Sequence, residues 1–498
     1  MGSSHPDEFD FAGDYNLNGI ILQAHDGTGG NFEGAEGGVN IQQQVQELNI
    51  YEGINQTAVY GTLVMVDSAN IIGRLPIQGT ERLFFKLSTP GRSDPSQIHD
   101  ASEETGHPFY VYKVSNKKQP SQGTQVYTIH FASREFLRNI RTKISQAYEG
   151  KLSDMVQQIV GDKQGLDSRK TLYYESTKNQ DKIVIPNLNP FKAISMIAKR
   201  ALPQYSNGVG YYFYETTKGF YFQSWENMCT SYGFRSNEPV EKYYYQPRNI
   251  TDDNIGEDKV VHDLGAVEEY KFINTFHDTA AAQALGAYGH RVIMHNLYSK
   301  SFNEADYHYH DDFNETLHTD YDGDKEDVKP AVRGNPVDYD NKNISDYAES
   351  MVSLHPTTQF LHNEDTGNYG TDVSNDARLE GVRNGTRMQV EAGTTIQMTV
   401  KGQSHIQPGM VIDFHIRPVE TDGETADKKQ YDPQYSGRYI ITKMRHRVTK
   451  QDYKMILEVK KDSVREELPG NTVSNFEGIA NNENTQYKQL NEFNSGGK

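Results

Sequence analysis

The chain has 498 residues, with 50 Lys and Arg against 68 Asp and Glu, and a formal net charge of −18. Its acidity argues against a protein that grips nucleic acid, because phosphate binding is driven by Lys and Arg that displace counterions. It is compatible with a conduit whose walls repel phosphate and let a polymer slide. A mean hydropathy of −0.77 with no long apolar run excludes a membrane-spanning helix. No basic-then-apolar leader precedes residue 20, so none is expected. The single cysteine, Cys229, leaves no internal disulfide framework and favours a cytosolic folding compartment. The length predicts roughly three or four domains.

Residues 1–16 are polar and read as a loose arm. From Ile20 to Phe131 the chain is a succession of strand-length runs bounded by Gly, Pro, Ser and Asn. Within it Val59–Asp67 is apolar on both faces and is expected centrally in a sheet. The Gly-rich stretch Gly27–Gly38 lacks the Gly-Lys-Ser/Thr ending of a phosphate-cradling loop and reads as a flexible loop.

The period then changes. Phe136, Leu137, Ile140, Ile144 and Ala147 recur at helical spacing and predict a helix from Ser133 to Tyr148, with Ser133 as N-cap. A second helix is expected from Ser153 and a third over Asn189–Leu202, with Pro190 in its first turn. Two aromatic strands, Tyr211–Tyr214 and Gly219–Trp225, are joined by a hairpin turn at Thr216–Gly219. Val267–Phe276 reads as a strand, Ala280–Leu285 as a short helix and His290–Leu297 as another strand.

Residues 301–350 hold fourteen Asp or Glu against four Lys or Arg and are expected as surface loops. Asp320-Tyr321-Asp322-Gly323-Asp324 suggests a calcium loop, but Lys325 and Ala331 stand where an EF-hand needs Gly and Glu, so a solvated acidic loop is expected. His308, His310 and His318 lack the further ligands of a transition-metal set and read as surface histidines. There is no Gly-x-Ser-x-Gly elbow, and Cys229 lacks the basic setting of a nucleophile. No metal, cofactor or catalytic residue is assigned, and a non-enzyme is expected.

Between Thr395 and Lys460 four segments alternate with period two. Ile396, Met398 and Val400 oppose Thr395, Gln397, Thr399 and Lys401; Met410 to Ile416 continue the pattern. Met444, His446 and Val448 oppose Lys443, Arg445 and Arg447; Tyr453, Met455, Leu457 and Val459 share the last dry face. This predicts an antiparallel meander with one dry face. Its polar face is free for lumen, interface or solvent. The tail after Gly470 is rich in Asn, Glu and Gln and reads as an arm that orders only on a neighbour.

In order, Asn49–Ile54 leading into Gly61–Asp67, Leu75–Glu81, Phe131–Asn139 with Ser153–Val156, Asn189–Ile194 with the hairpin through Trp225, and Gly437–His446 resemble the baseplate hub proteins of contractile-tailed phages. That family is related to late control protein D and to the hub part of type VI secretion spikes. The resemblance implies a mainly β, α+β chain with two tail-tube-like β-barrel domains, an inserted α+β module and loop-rich insertions. Its parts would be an arm (1–16), a first barrel (17–131), the module (132–257), a second barrel (258–300 plus 380–465), an acidic insertion (301–379) and a polar tail (466–498). It implies a homotrimer in the virion, assembled in the host cytoplasm. Three copies carrying two barrels each would adapt a hexameric tube to a trimeric spike and line the channel for genome and tape measure. The implied partners are spike, tail-tube or tube-initiator, tape-measure and baseplate wedge proteins, with no stable nucleic-acid or membrane binding. Thr395, Gln397, Thr399, Lys401, Lys443, Arg445 and Arg447 are then candidates for interface or channel. A cell-wall hydrolase, or a glycan-binding tail protein using the Tyr211–Trp225 aromatics, is the alternative.

Overall fold

The computed structural model describes residues 11–24, 38–74, 77–91, 98–102, 107–204, 210–230, 239–245, 263–296, 300–321, 323, 328–357, 377–417 and 431–466. Residues 1–10 of the expected arm, nearly all of the Gly-rich stretch and the tail from 467 lie outside them. In chain order the first strands are β1 (Asn16–Gln23), β2 (Val39–Asn40), β3 (Val45–Gly53), β4 (Tyr60–Asp67), β5 (Arg82–Ser88), β6 (His99–Asp100), β7 (Phe109–Ser121) and β8 (Thr124–Ser133). Then come β9 (Ile144–Lys151), β10 (Leu172–Tyr174), β11 (Gln180–Leu188), β12 (Tyr211–Thr216), β13 (Gly219–Ser224), β14 (Lys242–Tyr245), β15 (Val267–Asn274), β16 (Gly289–Asn296) and β17 (Ser301–His308). The last are β18 (Lys329–Pro330), β19 (Val352–Thr357), β20 (Thr394–Lys401), β21 (Val411–Ile416), β22 (Gly437–Thr449), β23 (Tyr453–Lys461) and β24 (Ser463–Val464).

The alternating segments pair as their pattern demands, because only one register puts every apolar side chain on the dry face. β4 sits between β3 and β8, as its two-sided apolar character predicts. β20, β23 and β22 form the antiparallel meander. β22 then pairs with β3, Lys443 opposite Gly53 through Thr449 opposite Glu47. This seam fuses the two β-rich blocks into one 14-stranded sheet. Leu48, Ile50, Leu63 and Phe131 from one block share a single core with Met398, Met444, Leu457 and Val459 from the other.

The strands of the second block run round a ring, β15–β20–β23–β22–β21–β14. Its last gap is spanned by one bridge, Tyr244 to Ala266, with the Tyr244 N–H donating to the Gly265 carbonyl at 2.8 Å. Among the described residues no barrel is closed by continuous ladders. Residues 11–16 are not loose: Ala12 and Tyr15 are buried, Tyr453 N–H donates to the Gly13 carbonyl, and the Tyr15 hydroxyl donates to the Thr449 carbonyl.

The α+β module has its own core, from Leu152, Val156 and Ile159 of the Leu152–Gly161 helix to Phe191, Ile194, Phe213 and Phe222. The helix expected from Ser133 to Tyr148 stops at Arg141, and Ile144–Lys151 is a strand paired with β11. The helix reading put Ile144 and Ala147 on one face, whereas the strand buries Ile144 and Tyr148 and leaves Ala147 exposed. β16, expected in the second block, pairs instead with β17 and β19 in a separate sheet. The long helix Ala377–Ala392 packs on that sheet, Val382 meeting the cluster around Tyr307 and Tyr309.

Candidate functional site

The seven polar residues of the meander do not share one environment. Thr395 is 4% exposed and buried, whereas Gln397, Lys443 and Arg447 are exposed and Thr399, Lys401 and Arg445 half-buried. Register aligns the exposed ones in rows across the seam. Gln397, Glu458 and Lys443 stand side by side; so do Thr399, Ile456, Arg445 and Tyr51; so do Lys401, Lys454, Arg447 and Asn49. Lys401 and Lys454 both pair with Glu268 at 2.8 Å, and Lys443 pairs with Glu458 at 2.9 Å. Arg445 and Arg447 converge on Glu47 at 3.0 and 3.1 Å, and Arg445 lies over the Tyr51 ring, itself stacked on Tyr60. Burial raises the Glu47 carboxyl, but the Asn49 hydrogen bond and the two guanidiniums more than offset it and hold it low. The seam thus presents a neutralised, hydrogen-bonded face rather than a reactive one.

Charges expected in solvent are buried instead. Asp320 is fully buried, pairs with Lys461 at 3.2 Å and Arg465 at 3.3 Å, and accepts from Arg438 N–H and the Ser463 hydroxyl. The acidic-loop reading therefore fails at Asp320, because its four partners come from the far C-terminal segment, residues 438–465. His318 is also buried, pairing with Asp462 at 3.2 Å and bonded to the Phe313 carbonyl; it is no surface histidine. His310 is half-buried, between the Ser345 hydroxyl and the Val332 carbonyl. A third buried network joins the module to the first block. Lys170 pairs with Glu135 and Glu215, and Glu215 also accepts from Val59 N–H and the Ser133 hydroxyl. Burial raises the Glu215 carboxyl, Lys170 pulling it back and Glu135 pushing it further up.

The aromatic hairpin is as drawn from the sequence, with Thr217 and Lys218 as its two-residue turn. Its rings are inside: Tyr211, Phe213, Phe220 and Phe222 belong to the module core, and Tyr214, Tyr221 and Trp225 pack against Ile54, Val390 and Ile440. A stacking platform for glycans is therefore not available there. Beside the turn lies a cleft of about 210 Å³, lined by His99, Asp100, His107, Arg169, Lys170 and Lys218 among others. That is below the roughly 300 Å³ at which small-molecule pockets begin. Against it, at the meeting point of both blocks and the hairpin, Glu52, His99 and His446 each bring one ligand-type atom within 4.8 Å of the others. The three come from β3, β6 and β22, so no local motif in the sequence announces them.

No family model matches the chain, and no curated protein does. Among solved structures it is similar to a tail protein from Neisseria meningitidis MC58, at 11% identity, 89% of this chain, 97% of that one and a TM-score of 0.47. It is similar to the prophage MuSo2 tail protein from Shewanella oneidensis, at 9% identity, 89% and 98% coverage and a TM-score of 0.47. A type VI secretion component of E. coli gives 8% identity, 86% and 76% coverage and a TM-score of 0.37. With TM-scores below 0.5, these likenesses assign the chain no function.

Proposed function

We propose that the chain is a structural, non-enzymatic subunit of a phage tail baseplate: a homotrimeric hub that adapts the hexameric tail tube to a trimeric central spike and surrounds the channel. The observation that carries this reading is the seam. One chain supplies two β-rich blocks joined edge to edge through β22 and β3 over one core. In this reading each block supplies one tube-facing surface, so three copies would display six around a threefold axis. The blocks are read as tube-like barrels, the second nearly ringed by its strands.

The order of sequence blocks resembling hub proteins supports the same reading. So does the face of β16, β17 and β19 turned away from the long helix. There Phe302, Val352 and Leu354 are 69%, 53% and 65% exposed beside the Arg291–Asp306 pair. Exposed apolar clusters mark contact surfaces, and this one is assigned to a neighbouring copy in the ring. Gln397, Lys443 and Arg447 are assigned to lumen or inter-subunit contact.

Light scattering on the purified chain, alone and with the spike protein of the same phage, tests the proposal. A mass of three chains alone, and of those three plus the spike in the mixture, is expected; Leu354→Arg should shift the first toward one. A stable monomer indifferent to the spike would sink the hub reading. Peptidoglycan cleared in a zymogram by the chain would favour the hydrolase instead.

A further inference from the structure

We propose that Glu52, His99 and His446 form a binding site for one transition-metal dication of the Zn²⁺ class, which staples the two β blocks and the aromatic hairpin together. All three side chains are essentially inaccessible, at 0%, 1% and 0% exposure. Glu52 Oε1 accepts from the Thr217 N–H at 3.0 Å, and His99 Nδ1 meets the Thr217 hydroxyl. His446 Nδ1 bonds the Tyr453 hydroxyl at 2.7 Å. Their other polar atoms, Glu52 Oε2, His99 Nε2 and His446 Nε2, are buried with no partner at all.

Three unmet polar groups in one place are costly, since each forfeits its hydration without return. A cation satisfies all three at once. The pattern of engaged Nδ1 and unengaged Nε2 is that of metal-bound imidazoles, whose second nitrogen is held by a neighbouring oxygen that fixes ring and tautomer. Two imidazoles and one carboxylate suit Zn²⁺ better than Ca²⁺ or Mg²⁺, which prefer all-oxygen shells. Tetrahedral Zn–N and Zn–O bonds of about 2.0–2.1 Å place ligand atoms about 3.3 Å apart, so the present atoms close by up to about 1.5 Å on loading.

Lys218, which lines the cleft beside the site, donates to the Ile98 carbonyl at 2.7 Å. The cleft lined by His99 and Lys218 lies beside the site.

The test uses the full chain, stripped with chelator, incubated with Zn²⁺, desalted and analysed for metal. One zinc per chain, a rise in Tm of several degrees on loading, and the visible spectrum of a four-coordinate site with Co²⁺ are expected. Glu52→Gln and His446→Gln should keep the far-UV circular dichroism of the parent and lose zinc. Tyr453→Phe, which removes only the hydroxyl, should weaken binding by about 10- to 100-fold. A parent that retains no zinc, or a folded Glu52→Gln/His446→Gln double variant that retains as much as the parent, would overturn the proposal.

Discussion

Lys170 offers the sharpest test of how the module is fastened to the first block. It is the shared cation for Glu135, at 3.5 Å, and for Glu215, and the three side chains are 12%, 3% and 0% exposed. Lys170→Met keeps most of the side-chain volume and removes the charge, leaving two carboxylates facing each other out of water. Breaking a buried pair this way costs about 3–5 kcal/mol. A unit of this size lies between the ranges in which each kcal/mol moves Tm by about 4–8 °C and by about 2–4 °C, so at about 4 °C per kcal/mol the module's transition should fall by roughly 12–20 °C.

The pH dependence carries its own sign. Burial raises the Glu215 carboxyl and Lys170 opposes that, so removing Lys170 sends it higher. A carboxyl raised on folding costs stability while ionised, and protonation relieves the cost as pH falls through its folded pKa. The deficit of Lys170→Met should therefore be larger at pH 7 than at pH 5, and Lys170→Met/Glu215→Gln should recover most of it. Differential scanning fluorimetry, with hydrogen exchange over residues 132–230 to localise the loss, measures both. A deficit under about 1 kcal/mol, or one identical at the two pH values, would refute the reasoning.

Arg447→Ala, on the exposed seam, should cost under about 1 kcal/mol in chemical denaturation, because its pair with Glu47 is largely solvated and Arg445 remains. Gly61→Ala should cost at least about 1–3 kcal/mol, since the new methyl runs into the Phe131 ring and the Asn49 carbonyl; an unchanged Tm would show that β3, β4 and β8 are looser than described. His318→Gln should cost about 3 kcal/mol below pH 6 by leaving Asp462 without its cation. Burial lowers the His318 pKa, but Asp462 raises it more, so this contribution is lost as pH rises through the folded pKa. Urea midpoints of variant and parent should differ at about pH 6 and converge at about pH 9.

Strands with one wet face were legible because period two leaves a trace in any single segment, as in β20, β22 and β23. The Ile144–Lys151 strand was not, since Ile140, Ile144 and Ala147 fall at helical spacing although Ile140 and Ala147 are exposed in the fold. Asp320 looked like a solvated acid because its neighbours are acidic and polar, while Lys461, Arg438 and Arg465 reach it only through the fold. The same holds for Glu52, His99 and His446, each unremarkable in its own segment. The aromatic hairpin was legible as a hairpin, but which rings meet solvent depended on what packs over it.

The seam between β22 and β3 also sets a timetable. Its residue pairs join Glu47–Gly53 to Lys443–Thr449, so β3 waits for a partner from the far end of the chain. At ribosomal rates of about 5–20 residues per second, that interval lasts roughly 20–80 s. Throughout it one side of β3 is an open edge, the kind of surface that recruits strands from other nascent chains. Glu47, with Asn49 beside it, puts a charge and an amide on that edge, and their guanidinium partners arrive only with Arg445 and Arg447. The carboxylate that later anchors the finished sheet is, until then, the chain's guard against pairing with the wrong molecule.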